Sequence, residues 1–250
     1  MPKTIVFCAD GTWNGPEDAT GASVIDSADV HGELLSSAVT NVVKLYAGLA
    51  GQATPESVRL GDEQEKVHVD AAGNTLQVAK YVHGVGDDAN IALKLMGGLF
   101  GSGVIARIVR GYTFISRNYR AGDLIHIVGF SRGAYTARAL AGMIARVGLI
   151  NPAAYDLNDK AVAYRAGTSA WCKSHGIALA ASPLKGIRDL FAHLVDYVEN
   201  WVGSSLSPNS LIPDIPIKTV AVWDTVGSMG IPEYIKDRRC LLYTSDAADK

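Results

Sequence analysis

The 250-residue sequence predicts an α/β fold, a mostly parallel sheet with helices on both faces. Three observations point there. Short apolar runs alternate along the chain with longer segments of helical period. Ile125, Ile127 and Val128 form a near-continuous apolar run, as a strand covered on both faces does. Asp10, Ser131 and Asp224 each fall just past the C-terminal end of such a run, the edge at which sheets of this kind bind ligands.

The elements follow in chain order. Residues 4–9 read as a first strand running into Asp10-Gly11-Thr12-Trp13-Asn14, and a polar loop with Asp18, Asp26 and Asp29 comes next. Thr40 has the position of an N-cap for a helix carrying Val43, Leu45, Tyr46 and Leu49. Residues 67–69 and 76–82 flank Ala71-Ala72-Gly73-Asn74, which predicts a hairpin or two short strands. A glycine-rich turn, GGLFGSG, leads to a helix over 104–118. After the strand at 124–130 comes a helix on whose face Ala134, Ala137, Ala141, Ile144 and Ala145 recur, small enough to lie close to the sheet. Residues 155–172 read as helix, and 187–202 carry one apolar stripe through Ile187, Leu190, Phe191, Leu194, Val198 and Trp201. Residues 204–216 form a Ser/Pro-rich loop, and 217–223 a last strand before Asp224-Thr225-Val226-Gly227. One domain over 1–239 is expected, with 151–216 as a helical cap insertion whose 187–202 stripe is read chiefly as core packing.

The most informative stretch is Gly129-Phe130-Ser131-Arg132-Gly133, set between an apolar strand and a small-residue helix. G-x-S-x-G in that setting is the nucleophile elbow of an α/β-hydrolase: the serine sits on a tight strand-to-helix turn with its Oγ exposed above the sheet. The glycines are there because no side chain fits beside so strained a turn. The helix that follows offers backbone N–H groups and a positive dipole end to a developing oxyanion. Arg132 N–H is one expected donor, and Gly11 or Thr12 supplies the other, with Asp10 bracing that loop.

A serine hydroxyl needs a base, usually a histidine oriented by a carboxylate, in the chain order Ser, Asp or Glu, His. Ser131 and Asp224 fill the first two places. The six histidines are His31, His68, His83, His126, His175 and His193, and none follows Asp224. His126 reads as a core residue inside the nucleophile strand, and His83 could serve only by breaking the usual order. The expectation is therefore a C-terminally truncated domain whose histidine lies further downstream. Residues 240–250, RCLLYTSDAADK from Arg239 onward, match no preceding period and read as a non-native tail.

Other chemistries fit less well. Asp10-Gly11-Thr12 after a first strand resembles haloacid-dehalogenase phosphatases, but Cys8 stands where their nucleophilic aspartate belongs. GGLFGSG lacks the preceding strand and the lysine of a phosphate-binding loop. A net charge of −2 gives no nucleic-acid surface. Three widely spaced cysteines, Cys8, Cys172 and Cys240, form neither a disulfide framework nor a metal cluster, and no cofactor is called for. The N-terminus lacks a signal-peptide pattern, so a cytoplasmic protein, or one exported without a cleaved signal, is expected.

Four blocks together carry a family resemblance. FCADGTWN, the Gly84-Val85-Gly86 and GGLFGSG pair, GFSRGAYTARALAGMI and VAVWDTVGSMG occur in one order, over residues 4–230. This resembles an α/β-hydrolase-like domain family of bacteria and fungi, formerly of unknown function, that includes type VI secretion phospholipase effectors. The resemblance implies Ser131 as nucleophile, Asp224 as triad acid, and an ester or phospholipid substrate with transient membrane contact. The expected activity is that of a serine esterase or lipase. The alternative is a catalytically inactive fragment, or a binding domain that keeps the fold without the triad.

Overall fold

The computed structural model describes residues 1–11, 40–54, 63–83, 100–176 and 206–225. Eight strands and four α-helices lie within them. The main sheet has six strands: β1 (Thr4–Ala9), β2 (Gln52–Ala53), β3 (Glu63–Val69), β4 (Thr75–Val82), β5 (Leu124–Phe130) and β8 (Ile217–Trp223), in the order β2-β3-β4-β1-β5-β8. β4, β1, β5 and β8 run parallel, while β2 and β3 join antiparallel at one side. The α/β architecture with a mostly parallel sheet agrees with the sequence.

The two faces are covered unequally. α2 (Phe100–Asn118), α3 (Arg132–Val147) and α4 (Lys160–Ser174) pack on one face, over Ile5, Phe7, Ile125 and Ile127. α1 (Asn41–Gly48) covers the other, where Val42, Val43 and Tyr46 meet Val6, Cys8, Tyr81 and Val128. Alternation along β1 and β5 sends odd-numbered apolar residues to the first core and even-numbered ones to the second. Both described thiols are buried, and burial pushes Cys172 up to about 12 and Cys8 higher still.

Local chemistry sets the element ends. Thr40 caps α1 as expected, its Oγ1 accepting from Val43 N at 3.1 Å. α4 starts later than the sequence suggested. Residues 151–159 are a run of turns, and Asp159 is the cap, accepting from Val162 N at 2.9 Å. Ala163, Tyr164, Ala170 and Trp171 of α4 belong to the main core, so this part of 151–216 packs with α2 and α3. Part of the expected Ser/Pro loop is ordered too: after a 3-10 turn (Pro208–Ser210), β7 (Leu211–Ile212) pairs antiparallel with β6 (Leu149–Ile150). The apolar stripe at 187–202 and the tail at 240–250 lie outside the described residues.

β3 and β4 hold a buried charge web against α2. Lys80 Nζ meets Glu63 at 2.7 Å and Glu65 at 3.3 Å, and Arg117 meets Glu65 at 2.6 Å. Arg110 Nε lies 3.4 Å from Glu63. Each of these charges is buried or nearly so, and every carboxylate faces a cation, the condition under which ions are tolerated in a core.

Candidate active site

Four parallel strands deliver their C-terminal ends to one edge: β4 at Val82, β1 at Ala9, β5 at Phe130 and β8 at Trp223. The ladder runs one step further on both sides. Asp10 N donates to Val82 O at 3.1 Å, and Ser131 N donates to Trp223 O at 3.0 Å. The edge therefore reads His83, Asp10, Ser131, Asp224 from strand to strand, with Ser131 and Asp224 on neighbouring strand ends.

Ser131 sits on a turn of unusual backbone geometry, with φ 54 and ψ −120. A non-glycine residue in that region is strained and persists only where its surroundings impose it. They do so here. A Cβ on Gly129 would lie 2.3 Å from Gly133 O, and one on Gly133 would lie 2.1 Å from Ala9 O. Only glycines let α3 begin so close to β5 and β1. α3 starts at once, with Ala134 N donating to Ser131 O at 3.0 Å. A serine at an N-cap normally spends its hydroxyl on the helix, yet Ser131 makes no such side-chain bond. Arg132 occupies the first helical position, whose N–H points out of the helix start.

The loop after β1 lies against the elbow. A Cβ on Gly11 would come within 2.9 Å of Phe130 Cδ1 and 3.0 Å of Ser131 Cβ. Of the two loop donors named from the sequence, the Gly11 N–H is already engaged, donating to Asp10 Oδ1 at 2.7 Å. Thr12 lies outside the described residues.

Asp10 is fully buried, and its carboxylate is gripped at both oxygens. Besides Gly11 N at Oδ1, Oδ2 accepts from Tyr81 OH and from Thr40 Oγ1, each at 2.7 Å. Its carbonyl accepts from Arg107 at 3.2 Å. Burial pushes its pKa up, against the opposing pull of Tyr81, Thr40, Gly11 and the Arg107 charge. Burial, with Asp10 alongside, holds the Tyr81 phenol well above its ordinary value, so it remains a donor. Sequence reading gave Asp10 its bracing role and Thr40 its capping role, but missed Tyr81. Its only signal is a tyrosine one residue short of the end of a strand neighbouring β1.

Asp224 follows β8 directly, exposed and with φ 45, a turn conformation of its own. Of the histidines, His126 lies in the interior of β5, where burial first and Lys218 second hold its pKa low. His83 packs edge-on against the Tyr81 ring at 4.8 Å, and β1 stands between its strand and that of Ser131. Two strand spacings put those strands about 10 Å apart. His175 ends α4, stacked on Trp171 at 4.1 Å and bonded to Trp171 O at 2.9 Å. His31 and His193 are outside the described residues.

A family model described as the type VI secretion system phospholipase effector Tle1-like catalytic domain matches residues 3–248. The chain belongs to that family. Membership of the Tle1-like family carries a lipase- or phospholipase-like role at the level of the family, and the match takes in most of the stretch 240–250. The Tle1-like domain is also 29% identical over 161 residues to the uncharacterized protein YEL023C of Saccharomyces cerevisiae. That likeness covers 60% of this chain, and spans 18% of the length of the yeast protein. No solved structure gives a significant match. Among the described residues no helix is long and apolar enough to cross a membrane.

Proposed function

We propose that this Tle1-like domain is a serine esterase that cleaves acyl esters of phospholipids. The observation that carries the reading is the backbone of Ser131, strained at φ 54 and ψ −120 between two glycines that admit no side chain. Strain of that kind is kept where function uses it.

In this reading Ser131 Oγ bonds to the acyl carbonyl carbon while a histidine takes the hydroxyl proton. The C–O bond to the glycerol then breaks, the lysophospholipid leaves with that proton, and water releases the fatty acid from the acyl-serine. Asp224 orients the histidine and stabilises its charged form. In the usual chain order that histidine follows the acid, while among the described residues His83 packs against Tyr81, His126 lies inside β5 and His175 is bonded to Trp171 O. Arg132 N–H is one oxyanion donor. The second is Thr12 N–H, because Gly11 N–H is taken by Asp10. Losing one such donor costs about 3–4 kcal/mol of transition-state stabilisation.

The test is phospholipid and p-nitrophenyl ester hydrolysis by the full-length protein beside its Ser131→Ala variant. Activity that Ser131→Ala abolishes supports the reading. Activity untouched by Ser131→Ala removes it. If the protein is inactive and takes up no fluorophosphonate, a binding domain with a hydrolase shape becomes the better account.

A further inference from the structure

We propose that Tyr81 and Thr40 are positioning residues for the nucleophile: together they fix the Asp10 carboxylate, which fixes the Gly11 peptide beside Ser131. This rests on the serine-esterase reading above. Three donors from three separate places converge on one buried carboxylate. Gly11 N binds Oδ1, while Tyr81 OH from β4 and Thr40 Oγ1 from the start of α1 bind Oδ2, all at 2.7 Å. A carboxylate held at one oxygen alone can rotate about its last bond. Two hydroxyls on Oδ2 remove that freedom, and the orientation passes through Oδ1 to the Gly11 N–H. Gly11 in turn touches the nucleophile, since a Cβ there would lie 3.0 Å from Ser131 Cβ.

Thr40 does two things with one hydroxyl. It accepts from Val43 N as the cap of α1 and donates to Asp10 Oδ2. Serine can do both. Valine keeps the shape and does neither.

The experiment is the rate of fluorophosphonate labelling of the full-length protein, separated into the maximal rate constant and the half-saturating probe concentration. The parent is compared with Ser131→Ala, Tyr81→Phe, Thr40→Val and Thr40→Ser, with thermal melting of each. The expected result is no labelling of Ser131→Ala, and a maximal rate about tenfold lower in Tyr81→Phe and Thr40→Val, the size of a hydrogen bond to a charged group lost from the transition state. Half-saturation stays near the parental value, and Thr40→Ser labels like the parent. A purely structural network would lower melting temperatures and leave the maximal rate alone. Parental rates in both Tyr81→Phe and Thr40→Val overturn the proposal, as does a Thr40→Ser as slow as Thr40→Val. If Tyr81→Phe does not fold, the Thr40 pair decides. Labelling that survives Ser131→Ala removes the esterase reading itself, an outcome distinct from the others.

Discussion

Gly133→Ala tests the geometry of the elbow with a single methyl group. Gly133 is the second residue of α3, and a Cβ there would lie 2.1 Å from Ala9 O and 2.7 Å from Asp10 O. Ordinary contact begins near 3.4 Å, so strand end and helix start must part by about 1.3 Å, the difference from 2.1 Å. Both sides of the clash are backbone, so no side chain can swing away. Forcing a methyl into a packed site costs about 1–3 kcal/mol, and this contact belongs at the upper end. Alanine returns up to about 1 kcal/mol of helix propensity, leaving a net loss of about 2 kcal/mol. For a domain of this size that lowers the melting temperature by about 4–8 °C. The displacement falls on Asp10 and on the start of α3, the two supports of the proposed oxyanion site. A misplacement near 1 Å costs about a hundredfold in turnover. Gly142→Ala on the same helix is the control, because nothing lies within 4 Å of a Cβ there. It should stabilise by about 0.5–1 kcal/mol and leave kinetics unchanged. Calorimetry and kcat/KM on the full-length protein read both. A Gly133→Ala variant with parental melting and turnover would refute the packing argument. So would a Gly142→Ala variant that falls as far.

Three further outcomes are expected. Lys80→Ala leaves Glu63 and Glu65 buried without their shared cation and should cost about 3–5 kcal/mol in urea unfolding; a loss below about 1 kcal/mol would mean that Arg110 and Arg117 suffice. Burial would raise the Asp123 carboxyl, but hydrogen bonds from the Lys3 side chain and backbone and from Arg120 N outweigh it and hold its pKa low. Its stabilising contribution is thus present above the unfolded value of 3.8 and lost as pH falls through the folded one, so Asp123→Asn should weaken the fold at pH 7 and narrow the gap to the parent in acid; equal deficits at pH 7 and pH 3 would contradict this. In a Cys240→Ser background, Cys8 and Cys172 should react with a disulfide reagent only on unfolding, and prompt reaction of the native protein would show that one of them is reachable.

Much of the fold was legible because its signals are local. β1 and β5 are apolar runs, the elbow is five consecutive residues, and Thr40 announces α1 by its own side chain. The misses come from partners distant in sequence. Glu63 and Glu65 look like solvent-facing residues, so the strand signal in the sequence begins only at Val67. They are buried because Lys80, Arg110 and Arg117 reach them from other elements. β7 has no signal of its own, because its two residues are a strand only against Leu149 and Ile150. The late start of α4 was within reach, since Asp159 is an ordinary cap that the apolar period overrode. At the site, the serine and its glycines were visible, while the commitment of Gly11 N–H to Asp10 was not, because that depends on which way one peptide faces.

The charge web also decides how β3 can pair with β4. In the observed register Glu65 stands opposite Lys80, and Gln64 and Lys66 face the other side of the sheet, where Lys66 Nζ donates to Tyr46 O and Ala47 O at the end of α1. A slip of one residue would exchange the two sets. Lys66 would then enter the layer that already holds Lys80, Arg110 and Arg117, and both glutamates would leave it. Apolar residues of similar size would tolerate that slip far better, since one aliphatic face packs much like another. The hairpin therefore carries a sign code: its alignment is protected by the repulsion built into a one-residue slip.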